Sequence, residues 1–166
     1  MSFRLVLAAM ALGLALAGCV SRGAAVIGPV SRTSAQAALA DANPRQTLGI
    51  VNAFRAQHGL PPVRLDPAVM AAARAQSLAM AQQRAMSHYA GGDFRGRLQA
   101  SGVGRAPAVE NIAWGQRTLA ETMATWRASP KHAENMLSPD MTRLGVAAAP
   151  GAGGTYWTLV LAGDSR

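Results

Sequence analysis

The sequence predicts an α+β domain in which a small antiparallel sheet is covered by helices. Apolar residues recur at helical spacing through the first part of the chain, and the last part has the pattern of a strand hairpin. The length of 166 residues leaves room for one domain plus a targeting sequence. Helices that come first and strands that come last are typical of an α+β architecture.

The first two helices have recognisable starts and stops. Apolar residues from position 48 recur at helical spacing after Asn43-Pro44, and Gly59 supplies a left-handed stop. Asp66-Pro67 has the composition of an N-cap followed by proline at the first helical position. It predicts an alanine-rich helix through Gln83, with His88 just past its end.

Shorter elements follow in the second half. A short helix is predicted over 94–100 and a strand over 109–114. Thr118 and Glu121 form a capping-box pattern that starts a further helix, and Ser129-Pro130 restarts a short helical turn. Strands over 144–149 and 156–161 form the C-terminal hairpin, and the chain's three tryptophans are predicted to lie in the core.

The first residues have the features of an exported lipoprotein. A short basic start is followed by an apolar run too short to span a bilayer, and then by Leu16-Ala17-Gly18-Cys19. We therefore predict a signal peptide over 1–18, a lipidated flexible tether over 19–43 and a folded domain over 44–166. Cys19 is the predicted lipid-attachment residue, which places the protein in the bacterial envelope. The outer membrane is favoured, with the domain facing the periplasm or the cell surface.

The net charge of +8 comes almost entirely from scattered arginines. Because the arginines do not cluster, no nucleic-acid partner is expected. An anionic lipid or a cell-wall ligand fits an envelope location better, since attraction to anionic groups needs no sequence reading. The alternative is that the charge serves solubility alone. We assume a monomer.

Three groups that could bind a cation or move a proton stand in distinctive settings: His88, Glu110 and His132. Two neutral imidazoles and a carboxylate suit Zn²⁺ or another divalent cation, with water completing the coordination. Such ligands must be brought together by the fold. The remaining histidine, His58, is interpreted as a favourable group at a helix C-terminus.

The ordered set of motifs resembles the CAP superfamily of cysteine-rich secretory proteins, antigen 5 and pathogenesis-related proteins, and in particular its bacterial SCP-like branch. The likeness covers roughly 44–163. The residues that carry it are Asn52, Arg55, Gly59-Leu60, Pro62, Leu65-Asp66, Ala73, Met86-Ser87-His88, Glu110-Asn111-Ile112-Ala113, Trp126, Ser129-Pro130, His132, Asn135-Met136-Leu137, Gly145-Val146 and Tyr156-Trp157.

The resemblance implies an α-β-α sandwich, with a three-stranded antiparallel sheet between helical layers and a cleft lined by two His and two Glu. His88, Glu110 and His132 match three of the four cleft residues. Ser129 stands where many eukaryotic members have the second glutamate, and Glu121 lies too far along its helix to replace it. Asn111, Ser129 and Asn135 are expected to be structural residues near the cleft.

The loss of one carboxylate favours binding over catalysis. We expect a binding module that uses its cleft for a divalent cation, a lipid or a cell-wall ligand. The first alternative is a metal-assisted hydrolase acting on envelope peptides, polymers or lipids, with Glu110 as the general base. The second alternative is a structural envelope protein whose cleft is vestigial.

Overall fold

The structure is a computed structural model that describes residues 42–164. The predicted signal peptide, Cys19 and the tether up to residue 41 lie outside the described residues. Between residues 42 and 164, five helices and four strands follow one another in the order α1 (Pro44–Gln57), β1 (Arg64–Leu65), α2 (Pro67–Gln83), α3 (Phe94–Ala100), β2 (Ala108–Trp114), α4 (Leu119–Ala128), α5 (Pro130–Met136), β3 (Arg143–Gly151) and β4 (Gly154–Ala162).

The four strands form one sheet in the order β1-β3-β4-β2. The three long strands β3, β4 and β2 pair in antiparallel fashion, as the resemblance implied. The fourth strand was not predicted: the two residues Arg64 and Leu65 pair in parallel with Arg143 and Leu144 of β3. Strand β2 therefore lies at one edge of the sheet. The predicted α+β fold class is confirmed.

The helices cover both faces of this sheet. Along β3, alternate side chains point to opposite faces, since successive residues of a strand alternate. Leu144 and Val146 join the core cluster formed with α1, α4 and α5. Ala147, on the opposite face, joins the cluster formed with α2 and α3. The result is an α-β-α sandwich with a separate core in each half.

The helix starts follow the predicted capping chemistry. The carboxylate of Asp66 accepts hydrogen bonds from the backbone amides of Ala68 and Val69, which satisfies two free donors at the start of α2. Thr118 caps α4 by accepting from the amide of Glu121. The carboxylate of Glu121 accepts from the amide of residue 117 instead of that of Thr118, so the capping box is shifted by one residue.

Two side chains of α1 hold the segment that leads into β1. The amide group of Asn52 both accepts from and donates to the backbone of Val63, at 2.9 and 3.0 Å. Arg55 is fully buried and donates to the carbonyl of Pro61 and to three carbonyls at and beyond the end of α5. These contacts join α1 to the end of α5, and burial lowers the pKa of Arg55.

The prediction that the tryptophans are core residues is confirmed for two of them. Trp126 and Trp157 are fully buried, whereas Trp114 has 45% of its surface exposed, so the prediction was wrong there. Trp114 is the last residue of β2 and lies at the open edge of the sheet. Within residues 42–164, every helix is too short or too polar to cross a membrane.

Candidate functional site

His88 lies in the loop between α2 and α3. Helix α2 ends at Gln83, and its C-cap residue Arg84 adopts a left-handed conformation with φ of 54° that turns the chain away from the helix axis. The Nδ1 atom of His88 lies 2.8 Å from Oε1 of Glu110, and about half of the histidine side chain is exposed. Because a carboxylate can only accept, Nδ1 donates and the neutral ring carries its lone pair on Nε2.

Glu110 is held on its other side by an arginine. Nη2 of Arg97, on α3, lies 2.5 Å from Oε2 of Glu110, and both side chains are only 3% exposed. Nη1 of Arg97 also donates to the carbonyls of His88 and Gly92, at 2.8 and 2.6 Å. Arg97 therefore holds both the carboxylate and the loop that carries His88.

Arg97 was not among the site residues predicted from the sequence. Its short helix carries one other arginine, and nothing in the charge pattern separates Arg97 from the exposed Arg95 two residues before it. The only sequence signal for the burial of Arg97 was its neighbour Leu98, which lies on the apolar face of the predicted helix. Its carboxylate partner lies 13 residues further on, in a different element.

His132 comes from the opposite helical layer. It lies on α5, and its backbone carbonyl accepts from the side chain of Asn111 at 3.0 Å. Asn135, also on α5, donates to Oδ1 of Asn111 at 2.8 Å and to the carbonyl of Glu110 at 3.2 Å. Asn111 and Asn135 thus attach α5 to β2, which is a structural role beside the cleft.

Adjacent residues of strand β2 contact the two histidine-bearing segments from opposite faces of the sheet. Glu110 reaches His88 in the layer of α2 and α3, while Asn111 reaches His132 in the layer of α5. The pKa of His132 is lowered, first because burial penalises its charged form and second because His88 is close enough to repel that charge. Glu110 and Asn111 thus connect the edge strand β2 to the two segments that carry His88 and His132.

Neither Ser129 nor Glu121 adds a carboxylate to this edge. Ser129 separates α4 from α5 and makes no side-chain capping hydrogen bond. Glu121 is exposed near the start of α4, where its carboxylate accepts from the amide of Arg117. Among the described residues, the carboxylate that contacts one of the two histidines is that of Glu110, which accepts from His88.

The donors at this edge offer two imidazole nitrogens to the expected divalent cation. Within the part of the chain that the structure describes, no three His, Cys, Asp or Glu side chains are grouped as metal ligands. Both oxygens of Glu110 are engaged by His88 and Arg97. The Nδ1 atom of His132 is buried and has no hydrogen-bond partner in residues 42–164. Two imidazole nitrogens fit a weakly held cation completed by water.

The domain is an α-β-α sandwich with two histidines at the open edge of its sheet, and a buried carboxylate orients one of them. This combination defines a distinct class of small domain. The model of the cysteine-rich secretory protein family, CAP, matches residues 48–161, more than half of the chain. The protein therefore belongs to the CAP family, as the motifs indicated.

Individual relatives agree with this assignment. The uncharacterized protein YkwD of Bacillus subtilis is 29% identical over 141 residues, which are 83% of this chain and 54% of the relative. The chain thus spans about half the length of that curated relative. An extracellular SCP-domain protein of Bacillus anthracis matches with a TM-score of 0.69 and 27% identity over 82% of this chain and 45% of the other.

A second similar structure is that of an outer surface protein of Borrelia burgdorferi. It matches with a TM-score of 0.65 over 73% of this chain and 92% of that protein, at 15% identity. At this identity the likeness concerns the fold alone.

Proposed function

We propose that this protein is an exported envelope binding module whose cleft holds a divalent cation weakly through His88 and His132. The observation that carries the proposal is the hydrogen bond from Nδ1 of His88 to the buried carboxylate of Glu110. A carboxylate behind an imidazole fixes the ring and its tautomer and makes the opposite nitrogen a better ligand. His132 supplies the second nitrogen from the other helical layer.

The lowered pKa of His132 supports the same role. A histidine binds a metal ion only when it is neutral, and a pKa below the ordinary value keeps the ring neutral in mildly acidic surroundings. Glu110 serves as the orienting carboxylate and Arg97 compensates its charge. When bound, the cation would offer open coordination positions to an anionic or carbonyl-bearing envelope ligand.

Isothermal titration of the metal-free mature protein with ZnCl2 tests this proposal. We expect a saturable heat that the double variant His88→Ala, His132→Ala reduces at least tenfold in affinity. The matched control is His58→Ala, since His58 is the one other histidine of the chain. It lies at the end of α1, where its Nδ1 is hydrogen-bonded to the carbonyl of Phe54. Equal heats from the wild type and the double variant would overturn the cation site.

The geometry favours binding over hydrolysis. A hydrolase that uses Glu110 as its base needs the carboxylate to meet water or substrate, and the Glu110 side chain is only 3% exposed and is paired with Arg97 and His88. Incubation of the zinc-loaded protein with purified envelope fractions tests this alternative. Products that appear with the wild type and vanish with Glu110→Gln would favour the hydrolase.

We further propose that Cys19 carries the lipid that holds the module at the membrane. The extracellular SCP-domain protein among its relatives is consistent with export. Fractionation of cells that express Cys19→Ser should move the protein from the membrane to the soluble envelope fraction. A vestigial cleft, the remaining alternative, predicts that the double histidine variant leaves the cellular phenotype unchanged.

A further inference from the structure

Two exposed arginines face one cavity between α3 and the loop that follows it. Arg95 and Arg105 line this cavity, which has a volume of about 420 Å³, together with Gln99. Among residues 42–164, neither arginine forms a salt bridge with a carboxylate. The cavity, called the arginine cavity below, is therefore lined by two uncompensated positive charges and one amide group.

The periodicity of α3 separates its two arginines. Arg95 and Gln99 are one helical turn apart, so they lie on the same face of the helix. Arg97 lies two residues from each of them, which places it about 200° around the helix axis, where it is buried against Glu110. One arginine of α3 is thus engaged in the buried ion pair, whereas the other is exposed at the cavity.

Hydrogen bonds position both arginines beside the cavity. Nη1 of Arg95 donates to the carbonyl of Ala106 at 2.9 Å, so the guanidinium is held against the loop by only one of its N–H groups. The amide of Val103 donates to the carbonyl of Leu98 at 2.9 Å, which attaches the start of the loop to α3. Arg105 stands between these two attachment points, so its backbone is fixed at the cavity.

The groups that line the arginine cavity suit a phosphate group. A guanidinium presents parallel N–H donors that match two phosphate oxygens, and the amide of Gln99 adds further donors. Two positive charges match a phosphate dianion better than they match a monovalent carboxylate. Small-molecule sites usually have volumes of about 300–1,000 Å³, so the cavity also has room for the chemical group that bears the phosphate.

We propose that the arginine cavity binds a phosphate group, either of a phospholipid headgroup or of a soluble phosphate compound, through its two guanidinium groups. This site is separate from the proposed cation site, because His88, Glu110 and His132 are not among the residues that line the cavity. Binding of phosphate by arginines requires no cation. The two proposals can therefore fail separately.

The test is an NMR titration of the ¹⁵N-labelled, metal-free mature chain with inorganic phosphate at constant ionic strength. The chain carries Cys19→Ser, so that it is free of lipid. The side-chain amide resonances of Gln99, identified by their loss in Gln99→Ala, report on the cavity. We expect phosphate to shift them saturably and acetate to leave them nearly in place. A phosphate shift that does not saturate overturns the proposal, as does equal affinity for acetate.

Matched variants separate a site from a general effect of charge. The double variant Arg95→Gln, Arg105→Gln should weaken phosphate binding about tenfold or more, because it removes the charged donors. The control Arg45→Gln, Arg84→Gln removes the same charge from exposed positions outside the cavity and should change the affinity by less than about twofold. Equal losses overturn the proposal. Arg105→Gln alone keeps the bond from Arg95 to the loop, and an unchanged affinity in this variant also overturns the proposal.

Vesicles distinguish the two sources of the phosphate group. The same chain is sedimented with vesicles of phosphatidylglycerol. Binding that is lost in the double variant of the cavity and kept in the control assigns the site to a phospholipid headgroup. Vesicle binding that is absent, or that both variants keep equally, assigns it to a soluble phosphate compound. The variant His88→Ala, His132→Ala should lose zinc binding and keep phosphate binding, which separates this proposal from the cation site.

Discussion

Arg97 and Glu110 form a buried ion pair that links α3 to β2. Nη2 of Arg97 and Oε2 of Glu110 are 2.5 Å apart, and the second carboxylate oxygen reaches Nδ1 of His88. The same guanidinium donates to the backbone of the His88 loop. The exposed histidine is thus positioned by two side chains that are themselves out of contact with water.

Removal of one partner of this pair should be strongly destabilising. We expect Glu110→Ala to lower the free energy of unfolding by about 3–5 kcal/mol, because it leaves the charge of Arg97 buried without compensation. Urea unfolding followed by tryptophan fluorescence measures the change. The double variant Arg97→Met, Glu110→Leu is the control and should recover part of the loss, since neither charge remains. A cost below about 1 kcal/mol for Glu110→Ala would contradict the buried pair.

Arg55 should be equally important to the other half of the fold. It is fully buried and donates to four backbone carbonyls, among them those of Met136, Ser138 and Met141. Arg55→Met leaves these acceptors unpaired, and we expect a loss of about 3 kcal/mol or more in unfolding free energy. The control is Arg45→Met, an exposed position on the same helix, for which a change within about 0.5 kcal/mol is expected. Similar losses in both variants would show that the carbonyl network is not the cause.

Two glycines should respond to alanine in opposite directions. A Cβ atom at Gly145 of β3 would overlap the backbone of Val69 and Met70 on α2, so the helix must move away from the sheet. We expect Gly145→Ala to cost about 3 kcal/mol or more, at the upper end of overpacking effects. Gly49 lies on α1, and a Cβ atom there would have no neighbour within 4 Å, so Gly49→Ala should stabilise the protein by about 0.5–1 kcal/mol. Thermal unfolding of the two variants beside the wild type measures both signs, and destabilisation by Gly49→Ala would contradict the open space at that position.

His132 should titrate below the ordinary histidine pKa of 6.5. NMR titration of its ring measures this pKa, and His88→Ala should raise it because the repulsion is removed, while burial keeps it below 6.5. The unfolded chain binds a proton at His132 more readily than the folded chain does. The free energy of unfolding should therefore decrease as pH falls below about 6.5 and through the folded pKa.

Replacement of His132 by Gln should flatten this dependence of the unfolding free energy on pH. The control His58→Ala should leave the part of the pH dependence that comes from His132 unchanged. A His132 ring that titrates above 6.5 in the wild type would contradict the burial and the proximity of His88 on which the site depends.

Much of the fold was predictable because its signals are local. The N-cap at Asp66, the proline that follows it and the glycine stop at Gly59 act within a few residues, and the structure begins and ends its helices there. The hairpin of β3 and β4 was predictable for the same reason. Strand β1 was missed because two residues carry no periodicity, and only the neighbouring β3 makes Arg64–Leu65 a strand.

Short motifs in the chain were enough to identify the family and to single out His88, Glu110 and His132 as candidates, because the residue types of a motif can be read directly. The packing of distant segments was needed to show that Arg97 engages the second oxygen of Glu110 and that Trp114 is exposed at the sheet edge. Burial and pairing depend on which of these segments meet. No local pattern records that an arginine on one helix contacts a glutamate on a strand, or that β2 has no neighbour on its outer side among the described strands.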